Sequence, residues 1–152
     1  MANTYTQLYV QIVFAVKGRQ NLIKEGNREN LEKYICGIIT NKRCKTLAIY
    51  CNPDHIHIFV GIHPNVSISE LTRDIKSNSS KWINENNWMK VKFNWQEGFG
   101  AFTYAKSQKD VVVKYVLNQP IHHRKTSFKE EYISLLDKFD VEYGDKYLFV
   151  WN

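Results

Sequence analysis

The sequence predicts an α+β fold of the ferredoxin-like (RRM-like) class, in which an antiparallel sheet carries two helices on one face. Its patterns give elements in the order strand, helix, strand, strand, helix, strand. No internal repeat, low-complexity tract or Gly-, Pro- or Ser-rich linker interrupts them, and 152 residues suffice for one domain with its own core. We expect the βαββαβ core over residues 1–105 and additional helices over 106–152.

The first half of the core is read from hydrophobic periodicity. Residues 5–16 alternate between apolar and mixed positions, which predicts a strand. Residues 28–41 place apolar side chains at helical spacing and predict an amphipathic helix. Residues 46–51 predict a short second strand, and Pro53-Asp54 predicts a tight turn before the third.

The second half of the core begins with a helix start signal. Ser67, followed three residues later by a glutamate, forms a capping box and predicts a helix that ends near Asn86. Residues 93–104 are aromatic and contain Gly98 and Gly100, which predicts a strand with a bulge or bend. The two helices are expected on one face of the sheet, so that the other face is free for a site.

Two further helices are predicted after the core. The first begins at Ser107 and carries Tyr115 and Gln119 on one stripe, and the proline that follows bars its regular continuation. Ser127 begins a second capped helix. The apolar tail 147–151 is expected to extend a sheet or to pack on a second subunit.

Net charge, cysteine content and the pattern of apolar residues indicate which partners and which cellular compartment to expect. A formal net charge of +6 favours a polyanionic partner, although charge alone is a weak signal. Cys36, Cys44 and Cys51 form no Cys-x-x-Cys pair, which favours reduced thiols in a cytoplasmic protein. The sequence has neither a signal-peptide pattern nor an apolar run long enough to cross a bilayer, so no membrane partner is expected.

The stretch Asn52–Gly61 carries two histidines separated by one apolar residue. Because successive side chains of a strand alternate between its faces, His55 and His57 share one face and Ile56 lies on the other. Paired imidazoles at this spacing can chelate a metal ion or approach one phosphate. The tripeptide alone is equally compatible with two hydrogen-bonded histidines on a half-exposed strand.

Gln119 and Tyr115 extend the metal hypothesis. The side-chain carbonyl of Gln119 can act as a third ligand, with water and phosphate oxygens completing the shell of Mg²⁺ or Mn²⁺. Tyr115 lies four residues earlier, on the same helical face. A tyrosine among valines is often a core residue. As a nucleophile, however, its phenol (pKa about 10) would form a reversible phosphodiester link, which suits strand transfer.

Four segments of the chain resemble, in order, the single-tyrosine HUH transposases of small IS200-type bacterial insertion sequences. These segments are residues 11–19, 53–60, 95–102 and 115–125. The resemblance implies a compact homodimeric enzyme of the bacterial cytoplasm that acts on single-stranded DNA hairpins at transposon ends. Such an enzyme would cut beside the hairpin through a 5′-phosphotyrosine intermediate and rejoin the strands.

The resemblance also implies roles for individual residues. His55, His57 and Gln119 would hold Mg²⁺ or Mn²⁺ on the scissile phosphate, and Tyr115 would attack it, in its own subunit or in trans. Pro120 departs from the family motif, in which a helical acidic residue often follows the glutamine. Since proline restricts the residue before it, this departure bears on the orientation of Gln119 and on the activity of this copy.

Basic residues are candidates for contacts with DNA phosphates, which set affinity and its salt dependence. They are Lys17, Arg19, Arg73, Lys76, Lys81, Arg124 and Lys125. Each is about equally compatible with a solvated surface role. His122 and His123 follow Pro120 and are expected in a loop that faces DNA, not among the metal ligands.

Three other functions compete with strand transfer. A plain RNA-binding module is suggested by residues 97–104, which resemble the aromatic RNP1 strand. This segment begins with Glu97 and falls on the fourth strand instead of the third, so the position argues against that function. A domesticated or inactive hairpin-binding protein and a metal-dependent nuclease that uses water both stay open.

Overall fold

A computed structural model describes residues 4–123 and 126–144 of the chain. Four strands form one antiparallel sheet in the order β2-β3-β1-β4, with two long helices in the connections. The elements are β1 (Tyr9–Ala15), α1 (Glu25–Asn41), β2 (Lys45–Cys51), β3 (His55–Gly61), α2 (Ile68–Glu85) and β4 (Gly100–Tyr104). The predicted ferredoxin-like order of elements is confirmed.

The two central strands divide their side chains between a core and a site. β1 pairs with β3 so that Ile12 lies opposite Ile58 and Val13 lies opposite His57. The apolar face of this pair is completely buried and forms one cluster with α1 and α2. Helix α1 contributes Leu31, a fully buried residue of the same cluster. The strand alternation therefore directs the histidines of β3 away from this core.

Three C-terminal helices cover the opposite face of the sheet. They are α3 (Lys109–Leu117), α4 (Gln119–His122) and α5 (Phe128–Lys138). Val112 and Val116 of α3 pack against Phe59 of β3. Phe139, which caps α5, stacks on Phe102 of β4 with ring centroids 5.1 Å apart. We had expected this face to be free, but the three helices cover it because its aromatic side chains are apolar and pack against them. The site lies between these helices.

Several elements depart from their predicted bounds. β1 begins at Tyr9 instead of residue 5, and α1 begins at Glu25 instead of residue 28. Two further departures have local causes. The strand predicted over 93–104 begins only at Gly100, and the preceding segment joins the sheet through an isolated bridge between Val16 and Trp95. The tyrosine helix ends at Leu117 and a new short helix begins at Gln119. Pro120 lies in the first turn of that helix, where its missing N–H costs nothing.

The tail 147–151, for which burial was predicted, lies outside the described residues. Across the ranges 4–123 and 126–144, none of the helices combines the length and apolar character that a bilayer span requires.

Replacing Gly100 with alanine should destabilise the protein. A Cβ at this position would lie 2.8 Å from Tyr132 Oη and 2.9 Å from a carbon of the same ring, and Tyr132 is a buried residue of α5. Overpacking of this kind costs about 1–3 kcal/mol. Gly37→Ala is the matched control: its Cβ would meet nothing within 4 Å, and the helix should gain up to about 1 kcal/mol. Urea unfolding measures both, and native stability in Gly100→Ala would contradict this packing of α5 on β4.

Candidate active site

His55 and His57 share one face of β3, as the strand alternation predicted, and they project towards the C-terminal helices. Only 2% and 0% of their surfaces are exposed. The two ring centroids lie 5.2 Å apart, and the ring of His55 stacks on Phe128 of α5 at 3.7 Å. β3 therefore supplies two imidazoles that are held rigidly at the base of the site.

A carboxylate fixes the tautomer of His55. Its Nδ1 lies 2.7 Å from Asp54 Oδ1, and Arg19 pairs with Oδ2 of the same carboxylate at 3.1 Å. Burial alone would raise the pKa of Asp54, but the hydrogen bonds from His55 and Arg19 lower it. Because the ionised carboxylate can only accept, Nδ1 of His55 carries the proton and Nε2 presents a lone pair, the arrangement typical of a metal-binding histidine.

His57 is held through an amide instead of a carboxylate. Gln11 Nε2 donates to His57 Nδ1 at 3.0 Å, and Tyr104 Oη donates to Gln11 Oε1 at 2.8 Å. With Nδ1 accepting, Nε2 of His57 carries the proton and donates to Glu131 Oε1 at 3.0 Å. Burial lowers the pKa of His57 and keeps the ring neutral despite this carboxylate. Rotation of the Gln11 amide would place the proton on Nδ1 and leave Nε2 as a ligand atom.

Glu131 of α5 lies at the centre of the site, although the sequence reasoning did not identify it. Its surface is 3% exposed. Oε1 lies 3.0 Å from His57 Nε2, 3.1 Å from His123 Nε2 and 3.6 Å from His55 Nε2. Burial would raise the pKa of this carboxyl, but the three histidines hold it well below its usual range. The site is thus built around an ionised, buried carboxylate.

The second oxygen of Glu131 faces the tyrosine helix. Oε2 accepts hydrogen bonds from the hydroxyl of Tyr115 and from Gln119 Nε2, the latter at 3.2 Å. Burial and the adjacent carboxylate raise the pKa of Tyr115 well above its usual range, so the resting phenol is a neutral donor. The carbonyl oxygen of Gln119 lies 3.2 Å from Asn52 Nδ2 and 2.9 Å from His123 Nε2.

The helix break does not separate Gln119 from Tyr115. Gln119 is completely buried, and its Nε2 lies 3.4 Å from the main-chain oxygen of Tyr115. The spacing predicted these two side chains close together on one helix. They are close together, but they belong to α3 and α4.

His122 and His123 lie in the site and not in the loop that we expected. Their Nε2 atoms are 3.3 Å and 3.1 Å from oxygens of Glu131. Nδ1 of His123 donates to the carbonyl of Thr126 at 2.9 Å. Burial would lower the pKa of His123, but Glu131 raises it. α4 therefore turns this pair inward, towards the buried carboxylate.

The donor set fits a small divalent cation. His55, His57, His123 and Glu131 each offer one ligand atom, and these atoms lie within 4.8 Å of one another. Octahedral ligands with bonds of about 2.1 Å are about 3.0–4.2 Å apart, so a slight contraction of this cluster would suffice. A set that mixes imidazole and carboxylate suits Mn²⁺ at least as well as Mg²⁺. Gln119 Oε1 borders the cluster through its contact with His123.

A cavity of about 340 Å³ opens between α3 and α5 beside this cluster. Tyr115, His122 and Glu131 form part of its wall, and Leu135 and Lys138 of α5 form another part. The cavity gives a ligand a route to the tyrosine that does not pass through the sheet.

The basic residues predicted to contact DNA differ in their surroundings. Those whose side chains lie at the surface are Lys17, Arg73 and Lys81. Arg19 instead pairs with Asp54 and lies over the ring of Phe128. Two of the set, Arg124 and Lys125, lie outside the described residues.

Lys76 has internal partners. Its Nζ donates to the main-chain oxygens of Gln96 at 2.8 Å and Gly98 at 2.6 Å, and it lies over the ring of Phe14. Burial lowers the pKa of Lys76 to about 8, although Glu97 opposes this shift. This lysine ties the 93–99 segment to α2.

Sequence comparison places the chain in a family. The family profile described as Transposase IS200 like matches residues 4–119. The match ends at Gln119 and does not include α5. No curated protein matches the chain significantly.

Two solved structures share the fold. A Deinococcus radiodurans R1 protein assigned as a transposase has a TM-score of 0.62 at 17% identity, covering 78% of this chain and 95% of that one. A REP-associated tyrosine transposase bound to a REP hairpin has a TM-score of 0.60 at 16% identity, covering 81% and 73%. At such low identities the two structures support the fold alone. The family profile, in contrast, spans most of the chain and therefore shows the family. This protein belongs to the IS200-like transposase family.

Proposed function

We propose that this transposase cuts and rejoins single-stranded DNA at hairpin-marked transposon ends, with Tyr115 as its nucleophile. One observation carries the proposal: the hydroxyl of Tyr115 and the imidazole of His57 bind the two oxygens of the same buried carboxylate, Glu131. A nucleophile and a set of metal donors thus share one hydrogen-bond network. The relative solved with a REP hairpin supports hairpin DNA as the substrate class.

The proposed reaction exchanges one phosphodiester for another. The phenol oxygen of Tyr115 attacks the phosphorus, and the bond from phosphorus to the 3′ oxygen breaks. The phenol proton is released and the 3′ oxygen takes up a proton, which leaves a 5′-phosphotyrosine and a 3′-hydroxyl. Since a phenol of pKa about 10 is a far better leaving group than water, a 3′-hydroxyl can reverse the step.

His55, His57 and Gln119 are the proposed holders of the cation. When bound, Mg²⁺ or Mn²⁺ would supply Lewis-acid stabilisation of the negative charge that develops on the phosphate. Asp54 orients His55 for this task, and Gln11 orients His57. Both histidines are buried, so the strand would keep their ligand atoms in place.

The partners are proposed as follows. Lys17, Arg73 and Lys81 would contact phosphates, together with Arg124 and Lys125, which follow the site directly in the sequence. Arg19 and Lys76 have protein partners and would support binding by holding Asp54 and the 93–99 segment. A homodimer is part of the proposal, with the tyrosine helix serving either subunit. Within one chain, Tyr115 contacts Glu131 of that same chain.

The competing functions are weakened by particular contacts. RNA binding of the RRM type stacks bases on exposed aromatic side chains of the sheet, whereas Phe59 and Phe102 are buried under α3 and α5. A nuclease that uses water would have no need of the carboxylate-bound phenol of Tyr115.

Tyr115→Phe should abolish covalent attachment to DNA. Native protein, incubated with a labelled single-stranded hairpin and Mn²⁺, should form an adduct that survives denaturation, and the variant should form at least about a thousandfold less. Tyr34→Phe is the control, because Tyr34 stacks on Trp82 between α1 and α2 with ring centroids 4.5 Å apart, away from the site.

Each result of this assay has a defined meaning. An adduct with Tyr115→Phe would disprove the nucleophile assignment. Cleavage of true end sequences without any adduct would support the nuclease. Hairpin binding without cleavage, with Mg²⁺, Mn²⁺ and true ends, would support a domesticated protein.

Asp54→Asn should weaken metal binding through His55. Loss of the anionic acceptor would relax the tautomer and ring orientation, and changes of this kind typically lower metal affinity about 10–100-fold. Titration of free Mn²⁺ by electron paramagnetic resonance measures the effect. Asp74→Asn is the matched control, because Asp74 pairs with Lys42 outside the site. Equal Mn²⁺ affinity in the two variants would count against His55 as a ligand.

A further inference from the structure

We propose that Glu131 is itself a metal ligand through Oε1 and a positioning residue for Tyr115 through Oε2, so that one carboxylate joins metal and nucleophile. The inference rests on the proposed function and deepens it. It adds a ligand to His55, His57 and Gln119 from a helix beyond the family match, which ends at Gln119.

The position of Oε1 supports the ligand role. It lies 3.0 Å from His57 Nε2 and 3.6 Å from His55 Nε2. Adjacent ligands of an octahedral ion with bonds of about 2.1 Å are about 3.0 Å apart. The carboxylate oxygen therefore lies at or slightly beyond the spacing of an adjacent ligand from each imidazole nitrogen, and all three atoms fall within the 4.8 Å span of the donor cluster.

Gln119 is less directly placed than Glu131. Its carbonyl oxygen lies against Asn52 Nδ2 and His123 Nε2, while its amide nitrogen faces Glu131 Oε2. Glu131 Oε1, in contrast, is in direct contact with the strand histidine His57. A carboxylate is also a harder and more strongly attracting ligand than an amide for Mg²⁺ or Mn²⁺.

The position of Oε2 supports the positioning role. It accepts the hydroxyl of Tyr115 and, at 3.2 Å, the amide of Gln119. The two oxygens of one carboxylate are rigidly linked, so the phenol oxygen is held by a hydrogen bond to the oxygen that is joined, through one carbon, to the proposed ligand atom. A charged acceptor gives this hydrogen bond more strength than a neutral one would.

A purely structural role accounts poorly for a carboxylate at this place. Glu131 shares the buried stripe of α5 with Phe128 and Leu135, where an apolar side chain would pack without desolvation. Removing a carboxylate from water costs several kcal/mol unless charged or polar partners compensate. Among the described residues, the partners that compensate are the histidines, Tyr115 and Gln119, which are the proposed functional groups.

The test compares Glu131→Gln with Tyr115→Phe in the full-length chain without DNA. Glu131→Gln keeps the side-chain shape and removes the charge, and its Kd for Mn²⁺ should rise at least about tenfold. Tyr115→Phe removes only the hydroxyl, and its Kd should stay within about twofold. Native Mn²⁺ affinity in Glu131→Gln would overturn the ligand assignment. Near-UV circular dichroism checks that each variant is folded. If Glu131→Gln does not fold, Glu131→Asp takes its place in the assay. This variant keeps the charge but shortens the side chain, and its Kd for Mn²⁺ should lie between those expected for native protein and for Glu131→Gln.

The positioning role has its own readout. With Mn²⁺ saturating, Glu131→Gln should form the phosphotyrosyl adduct at least about tenfold more slowly, with hairpin affinity within about twofold of native. Partial recovery in Glu131→Asp is expected. A native adduct rate in Glu131→Gln would overturn this role. The two proposals fail in different ways. If Mn²⁺ binding depends on Glu131 but native protein forms no adduct, the strand-transfer function alone is refuted. If the adduct depends on Tyr115 but Glu131→Gln binds Mn²⁺ as native protein does, the ligand assignment alone is refuted.

Discussion

The arrangement of the C-terminal half depends on one buried charge, the carboxylate of Glu131. An ion enclosed by protein needs partners, and loss of one partner of such a pair typically costs about 3–5 kcal/mol. Here the partners come from three different elements: His57 from β3, Tyr115 from α3, and Gln119 from α4. The same interaction therefore holds α3, α4 and α5 on the sheet and brings the candidate catalytic groups together.

The sheet makes this arrangement possible because one of its faces packs into the hydrophobic core and the other carries the side chains of the site. The strand period of two places Ile58 in the core and His57 in the site, although they are neighbours in sequence. Close approach of α5 also depends on Gly100, where any side chain would meet Tyr132, the residue next to Glu131. A small residue on the edge strand thus sets how near the carboxylate comes to the histidines.

Much of the fold could be predicted because its signals are local. Periodicity gave the strands and helices, and the capping boxes at Ser67 and Ser127 gave two helix starts that the structure contains. Glu131 could not be found in the same way, since 74 residues separate it from His57 and no short motif joins them. A signal was present, however: Glu131 interrupts an apolar stripe with a carboxylate. Pro120 was expected to disturb Gln119, but a new helix start accommodates it.

Enclosure of the site bears on the choice between transfer and hydrolysis. The histidines of β3 are almost fully buried, and the tyrosine is reached through the cavity between α3 and α5. Tyr115 itself lines this cavity and is only partly buried, so the enclosure covers the histidines and Glu131 more fully than the nucleophile. In the proposed reaction, the phenol of Tyr115 is a good enough leaving group for a later 3′-hydroxyl to displace it and restore a DNA phosphodiester. The proposed strand transfer therefore rests on the chemistry of the nucleophile and not on exclusion of water from it.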